Sequence, residues 1–117
     1  MAEKIDELGA AFEAAKEETA GTYLHKFKKP FKWEGKEYKT LLFDFESLTG
    51  NDFIAVDREV TQKMGTTVIV AAVSAPFLMT MAARAAGVGS DMLEALPLYD
   101  FNKIISKARN FMLSADA

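Results

Sequence analysis

Apolar positions change their spacing along this chain, and each change predicts a different element. Over residues 3–18, Ile5, Leu8, Phe12 and Ala15 fall on one side of a helix, while Glu3, Lys4, Asp6, Glu7, Glu13, Lys16, Glu17 and Glu18 fall mostly elsewhere. The stripe is thin, and an isolated helix of about fifteen residues is marginal in water. The pattern therefore predicts an N-terminal helical arm, residues 1–21, that holds together only by docking, with Thr19 to Gly21 as the joint to the next section.

From Tyr23 to Phe45 the period shortens to two. Tyr23, His25 and Phe27 share one face, Phe31 and Trp33 continue the series after Pro30, and Leu41, Phe43 and Phe45 share a face beyond a reversal at Glu34-Gly35-Lys36-Glu37. Gly35 accepts positive φ, so Phe31–Trp33 and Tyr38–Phe45 read as a hairpin. Pro30 cannot donate to a ladder and marks a strand start or an edge. A sheet of two or three strands with an aromatic face needs helices to cover it.

Helical spacing returns after Thr49-Gly50-Asn51-Asp52. Thr49 or Asn51 is placed to cap a helix with Asp52 in its first turn and Phe53, Val56, Val60 and Met64 on one face, closed by Gly65. The run from Met64 to Ala83 carries no charge and ends at Gly87. It predicts a helix buried on all sides and bent at Pro76, or one that buries part of its surface against another chain. Its length would allow a membrane span, but its threonines, serine, glycine, proline and single leucine argue against one. Asp91 and Glu94 have capping-box spacing for a short helix, Leu96-Pro97 interrupts it, and Asp100 is placed to cap a last helix. In that helix Phe101, Ile104, Ile105, Ala108, Phe111 and Met112 form the apolar face, and Lys103, Lys107 and Arg109 the wet one. The chain thus reads as α+β: a small antiparallel β-hairpin or three-stranded sheet over residues 22–46, then a mostly helical half over residues 49–113. Together residues 22–113 make one domain, with four to five helices counting the arm.

Composition narrows the function classes. At 117 residues and 12.9 kDa the chain has enough length for one core and little surface to spare, which makes it a candidate for oligomerisation. A net charge of −3 gives no general attraction to nucleic acid or anionic lipid. No cysteine is present, which excludes disulfides and thiolate metal sites. The N-terminal residues lack the apolar stretch of a secretory signal, so a cytosolic protein is expected.

Candidate chemistry is sparse. His25 is the single histidine, on a predicted strand among aromatics, and a lone imidazole makes a poor metal site. Asp44 and Glu46 read as a solvated strand face rather than an acid/base pair. Ser74, Ser90, Ser106 and Ser114 have no nucleophile-elbow context, and Gly87-Val88-Gly89 follows a helix instead of joining a strand to one. No catalytic, cofactor-binding or metal site is expected, and no enzyme. Lys26, Lys28, Lys29, Lys32, Lys36 and Lys39 interleave with Phe27, Phe31, Trp33 and Tyr38, a pattern that single-strand nucleic-acid binders also use. Alternation accounts for the same letters by placing lysines outward on an edge strand, where they block aggregation.

The order of parts resembles the tail assembly chaperones of tailed bacteriophages and prophages, in particular the contractile-tailed group found beside the tape measure protein. The resemblance is carried over about residues 27–113 by the residue before Pro30, the Gly35-Lys36 hairpin, the strand Leu41 to Phe45 and the helix start Thr49-Gly50-x-Asp52. It continues through the alanine-rich helix ending Ala82 to Gly87 and Leu93-x-x-Leu96-x-x-x-Asp100-Phe101 before a final helix. The resemblance implies a non-enzymatic chaperone in the host bacterial cytoplasm that binds the tape measure protein and keeps it soluble during tail tube assembly. Self-association and the tail tube protein are further contacts it allows; no cofactor, nucleic acid or membrane is implied. A structural tail protein retained in the virion and a single-stranded nucleic-acid binder are the competing readings. A holding chaperone needs adaptable apolar area, for which methionine is suited, and Met64, Met79, Met81, Met92 and Met112 lie in the helical half. Phe77, Leu78, Met81, Phe101 and Ile105 are the residues expected to form a client or self-association surface.

Overall fold

The computed structural model describes residues 21–66 and 70–114. The predicted arm lies outside these residues apart from Gly21. Strands β1 (Thr22–Trp33) and β2 (Lys36–Asp44) form a two-stranded antiparallel sheet, followed by helices α1 (Gly50–Met64), α2 (Ala75–Ala86), α3 (Ser90–Glu94) and α4 (Leu98–Ser114). Short 3-10 turns occupy Phe45–Ser47 and Ala71–Val73. The chain is α+β, as its hydrophobic period indicates.

The hairpin closes on two residues with positive φ, Glu34 at 48° and Gly35 at 79°, the signs a twisted two-residue connection requires. Strand β1 is longer than its sequence suggests, because Pro30 does not end it. Lys26 pairs with Thr40 and Phe31 with Tyr38, so residues 27–30 bulge opposite Lys39 and the proline falls where no ladder hydrogen bond is needed. The two parts of β1 therefore join as one strand. Tyr23, His25 and Phe27 point inward with Leu41 and Phe43, and the lysines of β1 point to solvent.

Thr49 caps α1, and the Asp52 carboxylate accepts hydrogen bonds from the Thr49 backbone N–H (2.8 Å) and hydroxyl (3.1 Å). Val56 and Val60 are buried, but Phe53 and Met64, expected on the same face, are about half exposed. Gly65 in the left-handed region ends this helix.

The uncharged run is not one bent helix. Helix α1 ends at Met64 and α2 starts at Ala75, with Ser74 as cap, its hydroxyl accepting from the Phe77 N–H at 3.3 Å. Pro76 sits in the first turn of α2, where its missing N–H costs nothing, and produces no bend. Phe77 through Ala83 are all buried, so α2 is enclosed on nearly every side. It packs against the sheet through β2 and against α1, α3 and α4. No helix among the described residues is long and apolar enough to cross a membrane.

Two further expectations at helix starts are corrected. Asp91 and Glu94 form no capping box; Asp91 Oδ1 accepts from the neighbouring Met92 N–H, and the cap position is Gly89. Helix α4 begins at Leu98, two residues before Asp100, so Asp100 lies inside the first turn and turns its side chain into the core.

Candidate functional site

Helix α2 decides where a surface can be. Phe77 and Leu78 have no exposure, and Met81 and Ile105 are each 5% exposed. Phe101 is partly buried against the same core. The structure does bring these five residues into one cluster, but it is the centre of the domain rather than a face open to a client or a second copy. The physical reason is the position of α2 between the sheet and the other helices, with Ala82 and Ala83 small enough to let its neighbours approach. Met79 and Met92 are buried in the same core and Met112 is partly buried against it, leaving Met64, about half exposed, as the most accessible of the five.

The apolar area that does reach solvent lies elsewhere. In the helical half it is formed by Phe53, Ile54, Met64, Val70, Val73, Leu98, Tyr99 and Leu113, with exposures from 45% to 70%. The Phe53 ring lies 4.9 Å from that of Phe77, at the start of the helix into which Val70 and Val73 lead. Phe53 and Ile54 lie on α1, and Val70 and Val73 in the segment that leads into α2. Sequence reasoning missed them because an apolar letter at helical spacing reads the same whether or not another element covers it.

A buried polar chain ties the sheet to the last helix. Tyr23 Oη is 2.8 Å from His25 Nδ1, and His25 Nε2 is 2.8 Å from Asp100 Oδ1. The Lys28 backbone N–H donates to the same oxygen at 3.4 Å. His25 has no exposure and Asp100 is 2% exposed. An imidazole carrying its proton on Nε2 accepts from the tyrosine and donates to the aspartate, which fits both contacts. The arrangement contains a base and its orienting carboxylate, but neither group opens to solvent, and the tyrosine of the chain is itself buried. Its geometry anchors rather than reacts. Among the described residues no group of three or more histidine, aspartate or glutamate side chains is placed to hold a metal ion.

A cleft of about 300 Å³ lies between α1, α2 and the loop before α3, lined by Glu59, Thr80, Arg84, Gly89, Ser90 and Asp91 among others. Its polar groups already serve the fold: Ser90 donates to Glu59 at 3.0 Å and Arg84 pairs with Asp52. The hydrogen bond from Arg84, followed by that from the Thr49 backbone, holds the Asp52 carboxyl below its ordinary value. Lys63, paired with Glu94 at 2.9 Å, is held above its ordinary value.

No protein-family model, no curated protein and no solved structure matches this chain.

Proposed function

We propose that this protein is a non-enzymatic tail assembly chaperone that binds the phage tape measure protein and keeps it soluble in the bacterial cytoplasm while the tail tube forms. Two things support the reading: the resemblance carried by residues 27–113, and the exposed apolar side chains of the helical half. The observation that carries it is the exposed apolar area of the helical half, where Phe53, Ile54, Val70 and Val73 are 45–69% exposed. Isolated exposed apolar residues are ordinary, but this many on the helical half of a small domain offer apolar area to a partner. A long, aggregation-prone client would be met there by adaptable aliphatic and aromatic contacts. The test is co-expression with a tape measure protein, scored by whether the partner becomes soluble and co-elutes. Recovery of this chain from purified intact particles would instead favour a structural tail protein.

A further inference from the structure

Helix α1 is held on the domain by little of its own surface. Of its fifteen residues only Val56 and Val60 are buried, while Phe53, Ile54 and Met64 remain about half exposed. It packs mainly on α2. Its remaining ties are polar and lie at the surface: Asp52 to Arg84, Glu59 to Ser90 at 3.0 Å, and Lys63 to Glu94 at 2.9 Å, with both side chains of the last pair about half exposed. Wet ion pairs of this kind contribute little each and weaken in salt. A helix of this length is also marginal once it leaves its neighbours.

The other elements close on each other without it. Helix α2 packs on β2, α3 and α4, and α4 packs on β1, where the His25–Asp100 contact joins them. What α1 covers is one side of α2. The Phe53 ring lies 4.9 Å from that of Phe77, Asp52 pairs with Arg84, and Glu59 shares a cleft with Thr80 and Arg84. Phe77, Thr80 and Arg84, three and four positions apart, form one helical face. Phe77 has no exposure and Thr80 is buried, so departure of α1 uncovers an aromatic ring and, two turns further on, frees a guanidinium. Few buried polar contacts are lost in that step. The Thr80 hydroxyl donates within α2 itself, to the Pro76 carbonyl at 2.9 Å, and the already half-exposed Arg84 passes to water.

We infer that α1 is a lid over the Phe77, Thr80 and Arg84 face of α2, and that it opens as one unit while the sheet, α2, α3 and α4 stay closed on each other. Elements with few buried apolar contacts and exposed polar ties are the ones that open below the global unfolding free energy. The inference stands independently of the tail assembly reading, because opening belongs to the chain alone.

Native-state hydrogen exchange of the full chain, followed amide by amide in rising urea, tests this. The amides of residues 54–64 are expected to exchange as one class, at least about a hundredfold faster than the most protected amides of the sheet, α2 and α4. Two mild core substitutions separate the units. Ile104→Val, buried on α4, should speed exchange in the sheet, α2 and α4 and leave the α1 class as it was, because the contacts of Ile104 persist when the lid is open. Val60→Ala should speed the α1 class by about tenfold. Amides of α1 that exchange together with those of α2, and respond equally to Ile104→Val, overturn the inference by showing that α1 leaves only in global unfolding. Protection that fades gradually from the helix ends inward also overturns it, because α1 then frays instead of opening as a unit.

Discussion

His25 and Asp100 stand 75 positions apart in the sequence, and their side chains meet at 2.8 Å inside the domain. The contact joins the first strand to the first turn of the last helix, so the N-terminal β section and the C-terminal helix are closed on each other by one buried polar pair. Removing one partner of such a pair leaves the other desolvated and unsatisfied, which costs more than the pair itself contributes.

Asp100→Ala is accordingly expected to lower unfolding stability by about 3 kcal/mol, and His25→Ala by a similar amount with its lost ring packing. The double variant should lose less than the sum of the two, with a coupling of about 1–3 kcal/mol. Urea unfolding of the four proteins measures it. Additive effects would show that the two side chains do not depend on each other.

The enclosure of α2 gives a second expectation. Leu78→Ala should cost about 3–4 kcal/mol through lost burial and an unfilled cavity, and Leu78→Asp should unfold the domain. Circular dichroism and thermal melts of the purified variants check this. A Leu78→Asp protein that folds with native stability would return Leu78 to the surface.

The Asp52–Arg84 contact predicts an acid limb. Asp52 is held below its ordinary pKa of 3.8 in the folded protein, so its ionised form favours folding. That contribution is complete above the unfolded value and is lost as pH falls through the lowered one. Stability against pH should therefore decline below about pH 4, and Asp52→Asn should flatten that limb. The salt bridge is partly exposed, so the effect is modest and weakens in high salt.

Much of the fold was legible because local rules and tertiary packing agree. Alternation from Tyr23 to Phe45 placed the inward face of the sheet, Gly35 the turn, and Thr49 with Asp52 the start of α1. Pro30 misled because a bulge lets a strand carry a proline, and a bulge is set by the partner strand rather than by its own residues. Asp100 looked like a cap because acids at helix starts usually are; that it reaches His25 depends on how two distant elements meet. The same limit applied to Phe77, Leu78, Met81 and Ile105. Their spacing announced an apolar face, but only the enclosure of α2 shows that this face is internal, while Phe53 and Val73 are left outside.

The account is tested most directly by co-expressing a tape measure protein with the wild-type chain and with Ile54→Asp/Val73→Asp, and measuring the soluble, co-eluting partner. Both substituted residues are more than half exposed, so the variant should keep its fold. The wild type is expected to render the partner soluble and co-purify with it, and the variant to lose at least about tenfold in affinity, about 1.4 kcal/mol of binding, and with it most of that yield. A partner that stays insoluble with the wild type, or is captured equally by the variant, would contradict it.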